Sequence, residues 1–490
     1  MADGKFLNGK SYVIGYDASR AFVAEATGTE NYSLNLLKAL AKVDRKNRYR
    51  VYVRDFSTPS LRDHEVAKQS RQKIATLLSV ARNDKAGQGW PSNFEFRPIR
   101  PHRFWTQLGL ALETWKNPVD LLFVPAHTLP ILRRRSFLKG TTSSQGTTGI
   151  KGLKTQKARG TRDTLGARDT RYVVTIHDLG VEYLPGHHQF PQRYYLDLAS
   201  KYAARHADAL IAVSAATRDD LIKRYKVDAK KVFAVHEGVD AAFFRPSSKL
   251  KVALRHTQGD TERSRSIESV KSKYKIKGDY ILFVGTVQPR KNLLMLIRAF
   301  ANLVGSRQLV VSRRNKKTTD YKLRTTNLVI AGKLGWDYAD ILAAPKKYGI
   351  EKQVKFLGHV DTGDLPALYS GAKVFAFPSL FEGFGLPILE AISCGCPVIA
   401  SDIGPHREIF DKFSRNGQWP MANGKSRENL EAIVLVKPND VDKWASVLYQ
   451  YISQYRKSQI NISQKGQLLA EFSWEQTAKK TLQVFEQVIR

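Results

Sequence analysis

Residues 377–390 read FPSLFEGFGLPILE, where Glu382 and Glu390 bracket a Gly-Phe-Gly turn that runs into a helix beginning Leu386-Pro387. A helix start of this kind seats anions, because its first N–H groups lack partners and the dipole is positive there. Pro387 suits the first turn, where no donor is lost. Gly383 and Gly385 let a ligand approach the backbone, with Phe384 and Leu386 supplying further amides. Ionised carboxylates only accept hydrogen bonds, so beside a bound diphosphate they call for hydroxyl donors. Phosphate and hydroxyls together describe a nucleotide sugar. Acidic residues also gather at helix starts merely to complement the dipole, so the reading needs a second signal.

That signal is ILFVGTVQPRKNLLMLIRAF, an apolar strand ending at Gly285, a turn through Pro289, the cations Arg290 and Lys291, and a helix that Asn292 could cap. Ligands of open parallel sheets bind beyond the carboxyl ends of the strands. Two cations at a helix start oppose the dipole unless an anion joins them. His177 and Asp178 follow the strand RYVVTI at its carboxyl end, where a lone histidine is more often structural than catalytic. Gly28 and Thr29 read as a loop and polar cap before a helix, Lys333 as a strand-end phosphate contact or a surface lysine, and Glu237 as a hinge residue. The chain has no Walker loop, three-glycine dinucleotide fingerprint, zinc-binding His/Glu helix or nucleophile elbow. Asp440 and Asp442 read as a helix cap. No metal site and no cofactor are expected.

These segments need strands that end at one crevice. Short apolar β-type runs alternate with helical stretches throughout, the grammar of parallel sheets covered by helices, and the pattern is written twice. Residues 238–247 read as the connector, punctuated by Gly238 and Pro246. Three basic, weakly apolar stretches, 133–171, 248–275 and 311–327, read as mobile loops. The segment FSWEQTAKKTLQVFEQVI has the spacing of an amphipathic helix.

At 490 residues there is material for two domains. The 79 Lys and Arg exceed the 45 Asp and Glu by 34, an excess that points to a polyanionic partner, either an anionic membrane face or nucleic acid. Cys394 and Cys396 read as two small buried thiols in a reducing setting. Without a leader pattern or a spanning apolar run, a cytoplasmic protein, peripheral at the inner membrane face, is expected.

GTENYSLNLLKAL, VVTIHDLG, ADALIAVSAATRDDLIKRY, VHEGVD, ILFVGTVQPRKN, FPSLFEGFGLPILEAISCGCPVIASD and FSWEQTA together closely resemble family 4 retaining glycosyltransferases of the GT-B fold, in the correct order along nearly the whole chain. Within the family, FVGTVQPRKN looks most like bacterial polysaccharide mannosyltransferases. The resemblance implies an α/β fold of two Rossmann-like domains facing a central cleft. The expected boundaries are 1–240 for the acceptor-binding domain, 241–470 for the nucleotide-sugar domain, and 471–490 for a helix returning to the first. It further implies that Glu390 holds the donor ribose, that Glu382 contacts the transferred sugar, and that Arg290 and Lys291 bind the diphosphate. Gly28 would let the N-terminal loop approach the donor, and His177 would help orient the sugar. The implied donor is GDP-mannose and the implied acceptor a saccharide or lipid-linked saccharide. The family's usual Pro-Glu-Val element here reads Gly404-Pro405-His406-Arg407-Glu408 and is followed by an insertion. The rival expectations are a sugar-nucleotide epimerase of the same fold and a basic nucleic-acid-binding protein. The second is disfavoured because no stacking-aromatic module accompanies the basic insertions.

Overall fold

The computed structural model describes residues 10–23, 28–54, 90–100, 105–133, 169–180, 192–240, 243, 266–305, 325–415, 432–454 and 471–490. Most of the three basic stretches lies outside the described residues.

The first sheet is built from β1 (Val13–Asp17), β2 (Arg48–Arg54), β3 (Phe94–Ile99), β4 (Leu121–Val124), β5 (Arg171–Ile176), β6 (Ala209–Ala212) and β7 (Val232–Ala234). Its order is β3-β2-β1-β4-β5-β6-β7, and every pairing is parallel. The second, also parallel, runs β10-β9-β8-β11-β12-β13. Its strands are β8 (Tyr280–Val284), β9 (Asn327–Ala331), β10 (Val354–Gly358), β11 (Val374–Phe377), β12 (Val398–Ser401) and β13 (Ile433–Val436). Strands β4, β6, β11 and β12 are buried at every position, as sheets covered on both faces require.

The covering helices are α1 (Gly28–Val43), α2 (Ala111–Lys116), α3 (Gln192–His206), α4 (Ala215–Tyr225), α5 (Ile267–Lys273), α6 (Leu293–Gly305), α7 (Ala339–Lys347), α8 (Leu365–Gly371), α9 (Leu386–Ser393), α10 (Gly404–Arg415), α11 (Val441–Gln454) and α12 (Trp474–Ile489). A π-helical turn, Trp105–Leu110, leads directly into α2. Ser214 caps α4 by accepting from Thr217 N, Ser473 caps α12 by accepting from Gln476 N, and Asp440 accepts from Lys443 N at the start of α11.

The chain passes between the domains twice, side by side. Val239 N donates to Phe472 O at 2.8 Å, and a side chain on Gly238 would meet Trp474 N at 2.2 Å. Glycine is required there because one backbone lies against the other. Beyond this crossing α12 packs on α1, β5 and β6, with Phe485 against Phe123. The last helix therefore completes the core of the first domain.

Several expectations need correction. Within the stretch 248–275, residues 267–273 are helical rather than loop, capped by Ser266 and anchored by buried Val270. Of 311–327, Asn327 already opens β9. Helix α10 continues to Arg415, past Glu408 and into what reads as an insertion. Gly28 and Thr29 form the first turn of α1 rather than a preceding loop. Asn292 adopts a left-handed conformation (φ 56°) and donates its amide to Pro438 O, so it ties α6 to the β13–α11 turn instead of capping. Cys394 and Cys396 are both free thiols, and only Cys396 is fully buried.

Candidate active site

Two strand ends shape the floor of the cleft. At Gly285 (φ 151°) and Gly332 (φ 149°) the ends of β8 and β9 lie so close that a side chain on Gly332 would fall 2.0 Å from Gly285 O. That contact lets the turn after β8 fold back as a single helical turn, Pro289–Lys291. Leu380 N donates to Arg290 O at 2.9 Å, which fastens this turn to the loop carrying Glu382. The two segments singled out in the sequence are thus one structural unit.

Above them lies a cavity of about 430 Å³ between the domains. It is lined by His177, Arg290, Lys291 and Glu382, by Gly28 and Thr29 from α1, by Gly285 and Lys333 at the strand ends, and by Gly383, Phe384, Gly385, Leu386 and Glu390 around the start of α9. Every residue expected at the site reaches this one cavity. Gly385 (φ 126°) makes the turn into α9, and Ile388 N donates back to Gly385 O. The amides of Gly383 to Leu386 remain as donors the turn can offer an anion.

The cations are not bare. Lys291 Nζ lies 2.5 Å from Glu382 Oε1 and stands 5.2 Å over the Phe377 ring. Arg290 donates to Phe381 O at 3.2 Å, with longer approaches to Asp178 (3.4 Å) and Glu382 (3.5 Å). Burial pushes the Glu382 carboxyl up, but the attraction of Lys291 and Arg290 overrides it and holds the group below the usual carboxylate range. Asp178 follows the same pattern, with Arg290 the main attraction that overrides burial. Glu382 is therefore first a counter-ion to the cations, a role the sequence reading did not give it. Arg290, with only long contacts to carboxylates, is the cation whose partners an incoming anion would most easily replace.

Glu390 stands differently. Burial pushes its carboxyl up to about 7, moderated by Tyr369, whose hydroxyl donates to Oε2 at 2.9 Å. His177 is buried, with Nε2 3.1 Å from Pro125 O and Nδ1 3.2 Å from Glu237 Oε1. Both ring nitrogens already have protein partners, so a sugar could reach one only by exchange. Glu237 is accordingly a cavity residue that holds His177, not simply part of a hinge.

The cleft is closed by direct contact. Gly383 O accepts from Ser214 Oγ at 2.6 Å and from Thr217 Oγ1 at 3.1 Å. A side chain on Gly383 would lie 1.8 Å from His177 O. Glu408, from the departing Gly-Pro-His-Arg-Glu segment, accepts from Ala215 N at 2.8 Å and pairs with His236 Nε2 at 2.5 Å. The His236 ring in turn stacks on Phe384 at 5.5 Å. Tyr369, and the partners of Asp178 and Glu408, escaped sequence reasoning because those partners are distant in sequence, and no local pattern marks such pairs.

Two parallel-sheet domains of this order, closing on one cleft, define the GT-B class. Comparison with known proteins carries this to a family. A model described as "Glycosyl transferases group 1" matches residues 264–468, and one described as "Glycosyltransferase Family 4" matches residues 158–243. The chain belongs to the family 4 glycosyltransferases and resembles their polysaccharide mannosyltransferases. It is 25% identical over 317 residues to O-antigen chain mannosyltransferase B of Escherichia coli, an alignment covering 64% of this chain and 70% of that protein. It is 30% identical over 286 residues to a D-inositol 3-phosphate glycosyltransferase of Salinispora tropica, covering 58% of this chain and about half (52%) of that protein. Among solved structures, HepE of Anabaena in complex with UDP and glucose superposes with a TM-score of 0.58 at 16% identity, over 97% of this chain and 100% of that one.

Proposed function

We propose that this protein transfers a hexosyl residue from a nucleoside-diphosphate sugar to a saccharide or lipid-linked saccharide in cell-surface polysaccharide or glycolipid assembly, working at an anionic membrane face. Mannose, carried as GDP-mannose, is the favoured sugar, a choice supported by the mannosyltransferase among its relatives. The observation that carries the proposal is the joining of Arg290 and Lys291 to the Gly-rich start of α9 around one cavity. In the reaction the bond from the anomeric carbon to the diphosphate breaks, and negative charge gathers on the departing oxygens. Arg290, Lys291 and the turn amides are the groups that stabilise this charge, without a divalent ion.

The configuration is retained by attack from the leaving-group face, with the acceptor proton passing to the departing phosphate oxygen. This route needs no carboxylate nucleophile of the kind retaining hydrolases use. Glu390, held by Tyr369, accepts from the ribose hydroxyls. Glu382 keeps the cations in place and offers its outer oxygen to the sugar.

A thermal-shift screen of nucleotide sugars identifies the donor, because a bound ligand raises the melting temperature with its saturation. Transfer by Arg290→Ala and Lys291→Ala is then compared with wild type. Near-normal turnover in both variants would remove the leaving-group role. Consumption of donor without any acceptor would instead favour an epimerase.

A further inference from the structure

Strands β1, β2 and β4 end side by side at the same sheet edge as β5, whose carboxyl end delivers His177 to the cleft. They bring there two cations that lie outside the cavity lining, Arg20 in the turn after β1 and Arg54 as the last residue of β2. The turn is firmly built. Asp17 Oδ1 accepts from Ser19 N at 3.0 Å and from Trp105 Nε1 at 3.2 Å, and Ala21 N donates to Ala18 O at 3.0 Å. Arg20 then reaches Glu30 at 3.1 Å, in the first turn of α1, next to the cavity residues Gly28 and Thr29.

Arg54 is the anomaly. Its side chain is half-buried, and its Nε, shielded from water, has no hydrogen-bond partner among the described residues. A guanidinium cannot shed its charge, and a buried charge is costly unless it is paired. Burial pulls Arg54 down, Asp17 offsets part of this, and Arg20 adds to it. Asp17 is a poor counter-ion because its Oδ1 already serves Ser19 and Trp105. The Trp105 ring centroid stands 6.0 Å from the guanidinium, at the outer limit of a cation–π contact. Arg97, on neighbouring β3, shows what an internally paired arginine looks like here, with Glu95 at 2.8 Å and Glu113 at 3.1 Å. Arg54 has a second arginine nearby instead, an arrangement that an external anion would repair.

Neighbouring side chains lead from this pair to the cavity. The His127 ring, in the loop after β4, lies 5.7 Å from that of His177 and close enough to Arg20 to feel its charge. Burial, with His177 adding to it, pushes His127 down to about 4, so it stays neutral and the positive charge at this rim is that of the arginines. Two guanidinium forks suit an anion that carries about two charges on several oxygens, which is a phosphate.

We infer that the acceptor is a saccharide carrying a phosphate, and that Arg54 and Arg20 hold this phosphate at the ends of β1 and β2 while the sugar extends past His127 towards His177. Calling the ligand an acceptor rests on the proposed transferase reading, but the anion site does not. A soluble sugar phosphate and the diphosphate link of a lipid carrier present the same oxygens to the arginines.

The test is calorimetric titration of the full chain saturated with GDP. The probes are mannose, glucose, galactose and N-acetylglucosamine, each free and as its 1-phosphate, and N-acetylglucosamine diphosphopolyprenol against bare polyprenol in the same detergent micelles. At least one probe should bind about tenfold or more tightly with its phosphate than without. Arg54→Met should abolish that preference, and Arg20→Gln should weaken it. Methionine fills much of the same space and removes a poorly paired charge, so Arg54→Met should melt no lower than wild type and bind GDP as wild type does. A preference among the soluble 1-phosphates, lost in Arg54→Met, supports the site and assigns it to a sugar phosphate. One confined to the polyprenyl probe, and likewise lost, supports it and assigns it to a carrier lipid. No preference for phosphate in any pair overturns the assignment, as does a preference that Arg54→Met retains. A wild type that binds no nucleotide would sink the transferase reading, and the same titrations without GDP would still decide the anion site.

Discussion

Lys291 and Glu382 form a buried ion pair, Nζ to Oε1 2.5 Å, on the floor of the interdomain cavity. Burial pulls the lysine down, and Glu382 only partly offsets this, whereas the carboxylate is held ionised by two cations. The partners are therefore not equivalent. Lys291→Met strands a buried carboxylate with Arg290 alone, 3.5 Å away, and is expected to cost about 3–5 kcal/mol in urea unfolding. Lys291→Met/Glu382→Leu should recover most of that loss. The folded-state carboxyl of Glu382 is depressed, so its contribution is present at neutral pH and lost as the pH falls below the ordinary glutamate range. A double variant no more stable than the single would disprove the pairing.

Glu390 makes the opposite prediction. Its carboxyl is raised from 4.5 to about 7, so the folded state holds the proton more tightly than the unfolded chain. Stability from this group is full below pH 4.5, falls as pH rises towards 7, and is lost above it. Glu390→Gln, which cannot ionise, should be more stable than wild type at pH 8 by at most about 3 kcal/mol, and no more stable at low pH. Ribose hydroxyls need the ionised carboxylate, so nucleotide affinity should rise about tenfold between pH 6 and pH 8 in wild type and stay flat in the variant. Calorimetric titration across that range decides it, and an identical slope in both proteins would exclude Glu390.

These groups show where the sequence could be read and where it could not. The strand-end glycines, the Arg290-Lys291 turn and the Gly-Phe-Gly entry to α9 were legible because each is a local pattern with a local cause: close backbone approach, a helix start, a missing donor. The doubled strand and helix grammar was legible for the same reason. Edge strand β3 was missed because FEFRPI carries Glu95, Arg97 and Pro98, tolerated only where one side of the strand has no partner. Helix α5 was missed because it is short and mostly polar, with only Val270 buried. Long-range partnerships were invisible. Asp178 meets Arg290 across 112 residues, and Glu408 meets Ala215 across 193. Nothing local records that either carboxylate is spoken for.

Gly383 should be intolerant of the smallest side chain. A methyl group there would lie 1.8 Å from His177 O, a backbone atom of the other domain, so it must force the domains apart. Each domain keeps its own core, and Gly383→Ala should melt close to wild type. A misplacement of about 1 Å at a reacting centre can cost about a hundredfold, and a loss of about that size in kcat/KM is expected. Gly305→Ala, at the end of α6 and outside the cavity lining, is the control, because a side chain there meets nothing within 4 Å. Activity of Gly383→Ala within a few fold of wild type would show that this close approach is not needed for turnover.

Glu408 is the other tie across the cleft, and it can be removed without touching the cavity lining. Its two oxygens serve two places in the first domain, the Ala215 amide at the start of α4 and the His236 ring beside Phe384. Glu408→Ala leaves both donors without their acceptor, at an expected cost of about 1–3 kcal/mol, and frees α10 to move from α4. Glu408→Gln keeps an oxygen for one donor and should fall between alanine and wild type. Because the tie holds domains rather than ligand, the expected signature is a larger radius of gyration by X-ray scattering without donor, which contracts when donor is added. KM for donor should rise more than kcat falls, since the closed state remains reachable once the cavity is filled. Scattering from Glu408→Ala that overlays wild type without donor would mean that Gly383, Ser214 and Asp178 close the cleft unaided, leaving Glu408 as a helix cap only.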